Sequence, residues 1–354
     1  MDASAQTLSD RLLDWYDRHA RALPWRQMPM AAPGAPLPDD YRVWLSEVML
    51  QQTTVAAVIP YFERFTARWP SVEALAVADD AEVMAAWAGL GYYARARNLL
   101  VCARTVAARG GAFPDTEAGL RELPGLGAYT AAAVAAIAFG ERAIVVDANV
   151  ERVVARLFAI GEPLPGARTA IRSSAEAITP AQRPGDFAQA MMDLGAGVCT
   201  SRNPRCLLCP LSDQCRAQQE GGPERFPVKL AKPPRPHRQG HAFWIERDGK
   251  VWLVRRPGKG MLGGMRALPD DGWSARADGS AAAPLSGAWC PLGAVEHLFT
   301  HFTLRLHLSL YSGDDWASLP QDEGEWWQLD RLDEAGLPTL FAKAARLAIA
   351  AREG

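Results

Sequence analysis

The sequence predicts a multidomain protein, with a helical region first and a smaller α+β domain after it. The chain has 354 residues, enough for two or three domains of ordinary size. Residues 1–220 are rich in alanine, leucine and arginine, and apolar side chains recur there at helical spacing, as at Trp44, Val48 and Val55. Residues 239–354 instead carry the alternating patterns that are typical of strands.

Proline and glycine divide the first region into segments of helical length, with breaks at Pro60, Pro70, Gly89 and Pro114. The region shows neither an internal repeat nor the strand–helix alternation of a parallel sheet, so we expect it to be all-α. Residues 221–238 contain five prolines and five Lys or Arg side chains. This composition predicts an interdomain linker.

The C-terminal domain begins with a hairpin signal. Asp248-Gly249 is a standard two-residue turn, and it lies between predicted strands at 241–246 and 250–254. Leucine at every second position from 304 to 310 predicts a half-buried strand. Residues 337–351 have the pattern of a closing amphipathic helix.

Composition and charge exclude several classes of protein. Apolar residues make up 49% and charged residues 22%, an ordinary globular balance. No uncharged apolar run approaches the roughly 20 residues of a membrane span. The N-terminus lacks a basic stretch followed by an apolar one, so we expect a cytoplasmic protein without a membrane partner.

The distribution of charge is more informative than its total. The net charge of −2 does not by itself suggest nucleic-acid binding. Residues 201–260, however, hold thirteen Lys or Arg against five Asp or Glu. On charge alone, such a stripe is equally consistent with phosphate binding and with a solvated linker.

Four of the six cysteines lie close together in the sequence. Cys199, Cys206, Cys209 and Cys215 have the spacing C-x6-C-x2-C-x5-C. A disulfide framework is disfavoured in a chain without a secretion signal, whereas four thiolates suit either structural zinc or an iron–sulfur cluster. Spacing alone leaves these two metals open.

A glycine turn and an acidic residue precede the cysteines. Gly125 and Gly127 lie in the sequence Leu-Pro-Gly-Leu-Gly, before an alanine-rich helix that begins near Thr130. Backbone N–H groups at such a turn bind anions such as a DNA phosphate, although an ordinary interhelix turn is the commoner structure. Asp147 follows an apolar run, a position at which an acid is more often a helix N-cap than a catalyst.

Taken in order, these motifs resemble the endonuclease III and MutY branch of the helix–hairpin–helix DNA glycosylases. The cysteine spacing is similar to the [4Fe–4S] motif of that branch, which favours iron–sulfur over zinc. Leu-Pro-Trp-Arg at 23–26 and the segments 43–53 and 89–98 resemble the MutY adenine glycosylases. The resemblance covers about residues 8–220. More weakly, 239–354 resemble the Nudix-like domain with which these proteins recognise 8-oxoguanine.

The resemblance implies an all-α helix–hairpin–helix glycosylase core with an iron–sulfur loop, followed by a C-terminal α+β Nudix-like domain. It also implies that the four clustered cysteines ligate a [4Fe–4S] cluster. The implied layout is a catalytic region at 1–220, a linker at 221–238 and the Nudix-like domain at 239–354. Within the catalytic region, a six-helix subdomain covers about 28–147, and an iron–sulfur subdomain is built from 1–27 and 148–220.

Release of adenine from DNA needs two acidic groups with different roles. A proton on the base makes adenine a leaving group, and a negative charge stabilises the oxocarbenium ion that develops on the sugar. The resemblance assigns the first role to Glu47, whose apolar neighbours are expected to raise its pKa, and the second to Asp147. Tyr129 and Asn149 are implied to position these two groups.

The resemblance also implies which residues contact DNA. Gln52 and Tyr92 correspond to residues that wedge in beside the 8-oxoguanine and fill the stack vacated by the flipped adenine. The other residues implied to contact DNA are Arg26, Leu50, Gly125, Gly127, Phe299, Thr300 and His301.

Several positions depart from the family pattern. Thr300 replaces the serine of a Phe-Ser-His loop. Ala148 replaces a glycine, which costs about 1 kcal/mol if the backbone there needs φ > 0. The stretch 28–38 is longer than usual and predicts a surface loop, and the metal-binding acids of an active Nudix hydrolase are missing. Tyr129 stands where strand-cleaving relatives have a Schiff-base lysine, and no lysine precedes Lys229.

The resemblance therefore implies a monofunctional, monomeric adenine DNA glycosylase. Its partner is double-stranded DNA with adenine opposite 8-oxoguanine or guanine. A glycosylase/lyase for oxidised pyrimidines is an alternative with the same fold, but the missing lysine opposes it. A damage-binding protein without cleavage activity is a second alternative. Glu47 and Asp147 oppose that alternative, although Ala148 and Thr300 leave it open.

Overall fold

The computed structural model describes two compact units, Met1–Ala231 and Lys232–Gly354. The residues described are 3–29, 37–230, 234–257, 261–319 and 324–353. Residues 30–36 of the predicted surface loop lie outside this set. Within it, no helix combines the length and the apolar character that crossing a membrane requires.

Helices are the main regular structure in the described part of the first unit, which confirms the predicted all-α architecture. Single 3-10 turns occur at Cys206–Leu208, Ser212–Gln214 and Pro223–Arg225. The α-helices are α1 (Ala3–His19), α2 (Asp40–Leu50), α3 (Val55–Arg68), α4 (Val72–Ala76), α5 (Asp80–Trp87), α6 (Tyr93–Ala108), α7 (Glu117–Leu120), α8 (Ala128–Phe139), α9 (Ala148–Leu157), α10 (Arg168–Ile178), α11 (Pro184–Gly197) and α12 (Arg216–Gln219).

Short polar side chains begin several of these helices. Asp39, Thr54 and Asp79 accept hydrogen bonds from backbone N–H groups in the first turns of α2, α3 and α5. These N–H groups have no partner inside a helix, so the caps define where each helix starts. The predicted break at Pro60 is not seen. Pro60 lies inside α3, in its second turn, and the helix continues there without the hydrogen bond that a backbone N–H at this position would donate.

The alanine-rich helix α8 is central to the first unit. Its residues 130–138 are all buried, and their small side chains allow α2, α7 and α11 to pack closely around it. Helix α11 also contacts α9 and α1. This packing brings the middle of α2 and the start of α9 toward the first turn of α8.

The linker is shorter than the sequence predicted. Phe226 is buried in the core of the first unit, and Lys229 forms a β-bridge with Leu164. His237 and Arg238 already belong to the first strand of the second unit. The difference arises because burial of an apolar side chain within the proline-rich stretch ties it to the helices.

The second unit is α+β in its described part, as predicted. One sheet has the order β1-β6-β5, with β6 parallel to β1 and antiparallel to β5. In the other sheet, β3 pairs with β2, β4 and β7. The elements are β1 (His237–Trp244), β2 (Glu246–Arg247), β3 (Lys250–Arg255), β4 (Arg266–Ala267), β5 (Trp289–Leu298), β6 (Thr303–Tyr311), β7 (Gly324–Gln328) and α13 (Thr339–Glu353).

The predicted hairpin, alternating strand and closing helix are all present. Asp248 and Gly249 have φ values of 50° and 71°, and such positive values are those of a two-residue type I′ turn between β2 and β3. The predicted strand at 241–246 is divided at Ile245 between β1 and β2, which belong to different sheets. Helix α13 packs against β1, β5 and β6 and covers the buried leucines of β6.

Candidate active site

A cavity of about 870 Å³ lies in the first unit. Its wall consists of the loop after α1, helix α2 with the loop that follows it, the first turn of α8, and residues of α9, α10 and α11. Many of the predicted site residues meet there. Those that line the cavity are Arg26, Glu47, Leu50, Gln52, Tyr129, Asp147 and Asn149.

Glu47 faces the cavity but has little contact with solvent. It lies in the middle of α2 among buried residues and is 5% exposed. The Tyr129 hydroxyl donates a hydrogen bond to Glu47 Oε2 at 2.9 Å. Burial raises the pKa of Glu47 to about 7, against the opposing effects of the Tyr129 hydrogen bond and of Arg26. A carboxyl group with this pKa is partly protonated at neutral pH and able to donate a proton.

Asp147 lies at the start of α9, on the wall of the same cavity. Its Oδ1 accepts a hydrogen bond from the Val150 N–H at 2.7 Å, and its Oδ2 accepts one from Asn149 Nδ2 at 2.9 Å. The acid is thus a helix N-cap, as its position in the sequence suggested, and a cavity residue as well. Two donors and a helix N-terminus complement a negative charge at this point.

Ala148 introduces no backbone strain. It is the first residue of α9, and its φ is not positive. The cost of about 1 kcal/mol that a left-handed backbone would impose on alanine therefore does not arise. The neighbouring hydrogen bond between Asp147 and Asn149 is intact.

Arg26 is held inside the protein rather than at its surface. Its Nη1 donates a hydrogen bond to Asp193 Oδ2 at 2.8 Å, and the two side chains are 7% and 2% exposed. Arg21 Nε binds the other oxygen of the same carboxylate at 2.6 Å. The Arg26 guanidinium thus lines the cavity from a buried position, and its contact with DNA stays a prediction.

Gln52 and Tyr92 are predicted to wedge into the DNA stack, and we call them the wedge residues after that prediction. Both have unusual backbone conformations. Their φ values are 57° and 51°, a left-handed conformation that costs a non-glycine residue on the order of 1 kcal/mol. Both are exposed, and Tyr92 retains 55% of its surface. Gln52 lines the cavity, whereas Tyr92 precedes α6. Tyr92 is therefore a surface residue and not a core aromatic.

The two glycines of the turn before α8 have different structural roles. Gly125 has a φ of 80°, and a Cβ atom there would lie 2.8 Å from the Cβ of Asn98. Gly127 has a φ of −80°, is exposed and has open space around it. Within the described part of the chain, no side chain caps α8, so backbone N–H groups remain available for an anion at its start.

The predicted recognition residues of the second unit lie in the loop between β5 and β6. Thr300 and His301 are exposed there. Phe299 is half-buried instead, because its ring stacks on Phe302 with the centroids 4.7 Å apart and meets the ring of His297 at 4.6 Å. Phe299 thus supports the loop, and its two neighbours form the exposed tip.

The four clustered cysteines line one small cavity. Arg156 from α9 is buried beside them, with Nη1 3.3 Å from Cys199 Sγ and its other hydrogen bonds made to backbone carbonyls. A buried cation next to four thiols suits an anionic iron–sulfur cluster.

Two arginines of the first unit, Arg152 and Arg95, hold site residues in place, and the sequence did not predict a role for either of them. Arg152 donates hydrogen bonds to Asn149 Oδ1 at 2.9 Å and to the backbone oxygen of Cys199 at 2.7 Å. Its three-residue spacing from Asn149 on a helix was a usable signal. Arg95 donates hydrogen bonds to the loop at 51–53. In sequence, nothing distinguishes it from Arg97 of the same motif.

Family comparisons match three parts of the chain. Residues 45–178 match the HhH-GPD superfamily base excision DNA repair protein, 199–215 match the iron–sulfur binding domain of endonuclease III, and 241–347 match the NUDIX domain. These matches confirm the predicted helix–hairpin–helix core, the [4Fe–4S] cluster and the Nudix-like C-terminal domain.

Solved structures share the fold of the helical unit. A thermostable thymine-DNA glycosylase matches with a TM-score of 0.54 and 30% identity, over 61% of this chain and 97% of its own. A non-covalent endonuclease III–DNA complex matches with a TM-score of 0.50 and 22% identity, over 62% of this chain and 98% of its own.

Characterised relatives align with almost the whole chain. The adenine DNA glycosylase of Mus musculus is 33% identical, over 99% of this chain and 80% of its own length. That of Homo sapiens is 34% identical, over 95% of this chain and 73% of its own length. This identity extends through the helical unit, the cysteine motif and the second unit, and we conclude that the chain belongs to the adenine DNA glycosylase family of base excision DNA repair proteins.

Proposed function

We propose that this protein is a monofunctional adenine DNA glycosylase that removes adenine paired with 8-oxoguanine or guanine. One observation carries the proposal: Glu47, a buried carboxyl group, and Asp147, a carboxyl group at a helix N-terminus, line the same cavity. Departure of a base requires a proton donor, and the sugar cation requires a nearby negative charge. The two acids are suited to these two roles.

Glu47 acts as the general acid. A flipped adenine enters the cavity, and the Glu47 proton passes to a ring nitrogen of the base. The bond between adenine N9 and the sugar C1′ then breaks, and its electron pair stays on the base. Burial raises the pKa of Glu47 to about 7, so that part of the protein carries the protonated form at neutral pH, and the Tyr129 hydroxyl stabilises the carboxylate that remains after the transfer.

Asp147 stabilises the oxocarbenium ion that is left on the sugar. Hydrogen bonds from the Val150 N–H and from Asn149 hold its carboxylate in place, so little reorganisation is needed as the positive charge develops. Water then adds to C1′, and the proton that it loses returns to Glu47. The products are free adenine and an abasic site in an intact strand.

Strand cleavage is not part of the proposed activity. A glycosylase with lyase activity needs an amine that forms a Schiff base with the sugar, usually a lysine. All five lysines of this chain lie at or after Lys229, and Tyr129 stands at the position of the lysine in strand-cleaving relatives. The abasic product should therefore break only when alkali is added.

Contacts with DNA are proposed for four parts of the protein. The wedge residues enter the stack beside the 8-oxoguanine, and the N-terminus of α8 binds a phosphate. In the second unit, the exposed Thr300 and His301 contact the 8-oxoguanine. The four cysteines hold the cluster, which has a structural role and orders the loop with the exposed Arg202 and Arg205 against phosphates.

Three variants test this assignment of roles. Glu47→Gln and Asp147→Asn keep the size of each side chain but remove its acidity or charge. Both should bind a duplex with adenine opposite 8-oxoguanine and release adenine at least about 100-fold more slowly than the wild type. Glu151→Gln is the matched control, because Glu151 lines the same cavity and pairs with Arg168. Its release rate should match that of the wild type.

The alternative functions give different results in this experiment. Tight mispair binding without adenine release, in the wild type and in all variants, would identify a damage-binding protein. Equal losses in Glu47→Gln and Glu151→Gln would show that the cavity needs carboxylates in general and that Glu47 has no special role.

A further inference from the structure

Arg95 holds the loop that carries the first wedge residue, Gln52. Its Nη1 donates hydrogen bonds to the backbone oxygens of Met49, at 3.0 Å, and Gln51. Both terminal nitrogens also lie 3.1 Å from Thr53 Oγ1. The guanidinium therefore binds the chain on both sides of Gln52.

The same side chain contacts the second wedge residue, Tyr92. The guanidinium carbon lies 5.7 Å from the centre of the Tyr92 ring and 5.0 Å from that of the buried Trp87 ring. The Arg95 backbone N–H also donates to the Tyr92 carbonyl at 2.7 Å. Arg95 thus lies between two segments that are forty residues apart in the sequence.

Packing alone does not explain a charged group at this position. Arg95 is 7% exposed, and burial lowers its pKa to about 10, so it keeps its charge at neutral pH. In the described part of the chain it has no carboxylate partner to offset the cost of burial. Its partners are instead the carbonyls and the hydroxyl around Gln52 and the ring of Tyr92.

Both wedge residues need external support for their backbone conformations. Gln52 and Tyr92 each have a positive φ, and such strain persists only where the surrounding structure imposes it. Gln51 Nε2 donates to Thr130 Oγ1 at 2.9 Å, which anchors one end of the first loop to α8. Arg95 contacts both segments.

We propose that Arg95 is a positioning residue for recognition of the mispair, which keeps Gln52 and Tyr92 in the conformations from which both side chains enter the DNA. The inference rests on the wedge role given to these residues under the proposed function. It does not require that the protein cleave its substrate. Arg95 itself touches neither the reacting base nor the sugar.

Arg95→Lys tests this proposal. Lysine keeps the positive charge but lacks the planar guanidinium group, which binds several acceptors and lies against two rings at the same time. Arg104→Lys is the matched control. Arg104 lies on the same helix and donates to the backbone oxygens of Ala76 and Ala78, which belong to neither of the segments that Arg95 contacts. All variants are made in full-length Glu47→Gln protein, so that no base is released during the measurement.

Fluorescence of 2-aminopurine at the target adenine position reports base extrusion. One duplex places it opposite 8-oxoguanine, and a second duplex places it opposite an abasic analogue, where there is no opposite base for the wedge to contact. Arg95→Lys should weaken base extrusion from the first duplex about tenfold, because a charged hydrogen-bond network is lost. Extrusion from the second duplex should change little. Arg104→Lys should leave both unchanged.

A double-mutant cycle distinguishes positioning from general stability. If Arg95 acts through the wedge residues, Arg95→Lys should cause no further loss in a Gln52→Ala/Tyr92→Ala background. Equal losses on the two duplexes, or additive losses in the cycle, would overturn the proposal. Failure of the wild-type protein to release adenine would refute the glycosylase function instead, since extrusion is measured without cleavage.

Discussion

At the scale of single residues, Glu47 combines a catalytic advantage with a cost in stability. Its position in the middle of α2, among buried side chains, raises its pKa to about 7 and makes it a proton donor at neutral pH. The same burial disfavours the ionised form that appears once the proton has left. The Tyr129 hydroxyl offsets part of this cost through its hydrogen bond to Oε2.

Adenine release should depend on the protonation of Glu47. In single-turnover measurements, the rate should be high below neutral pH and fall as the pH rises through about 7, because the acid form is then lost. Tyr129→Phe should move this fall to higher pH, since the Tyr129 hydrogen bond favours the carboxylate and lowers the pKa. A profile that is flat across this range, or a shift to lower pH in the variant, would contradict the role of Glu47.

Glu47→Gln should stabilise the folded protein at high pH. The pKa of Glu47 is higher in the folded protein, about 7, than in the unfolded chain, about 4.5. Protonation of Glu47 therefore favours the folded state fully below about pH 4.5, and this stabilisation is lost as the pH rises through about 7. At pH 8 the ionised side chain costs about 3 kcal/mol, which a neutral glutamine avoids. Thermal unfolding at pH 8 and at pH 4 checks this. An equal increase in the unfolding temperature of Glu47→Gln at both pH values would point to better packing rather than to the titration of Glu47.

At the scale of elements, the turn before α8 depends on one glycine much more than on the other. Gly125→Ala should destabilise the first unit by about 1–3 kcal/mol, because Gly125 has a positive φ and a new Cβ would meet Asn98. Gly127→Ala should have little effect on stability, since its φ is negative and the space is open. Thermal unfolding followed by the helical circular dichroism signal compares the two. Similar losses in both variants would contradict this.

The sequence predicted those elements that depend on local patterns. Helical periodicity, the Asp248-Gly249 turn and the alternating leucines of β6 each reflect constraints within a few residues, and all are present. Asp147 was predicted both as an N-cap by its local position and as a catalytic acid by resemblance. The structure puts it at both a helix start and the cavity wall.

Features that depend on contacts between distant segments were not predictable. Asp193 holds Arg26 across more than 160 residues of sequence, and Arg95 joins two separate loops. Local sequence could not reveal that Phe226 ties the proline-rich stretch to the helices, or that the Phe299 ring packs inward. The strain at Gln52 and Tyr92 likewise has no signature in the sequence.

At the scale of the whole molecule, the iron–sulfur site should depend on one group of cysteines. Cys206→Ser should reduce the iron content and the broad absorbance near the violet edge of the visible spectrum, because it removes one of four thiolate ligands. Cys290→Ser is the matched control, since Cys290 is exposed and belongs to the second unit. Metal analysis of both proteins checks the result. Zinc in the wild type, or equal iron in the two variants, would contradict it.

Single-turnover reaction of the wild-type protein with a duplex that contains adenine opposite 8-oxoguanine, analysed with and without alkali, tests the central claim most directly. We expect free adenine to form and strand breaks to appear only after alkali, because Glu47 and Asp147 cleave the glycosidic bond and no lysine is present to cleave the strand. Strand breaks without alkali would show a lyase that uses another amine. If no adenine were released from the DNA under either condition, the paired acids would not make this chain a glycosylase.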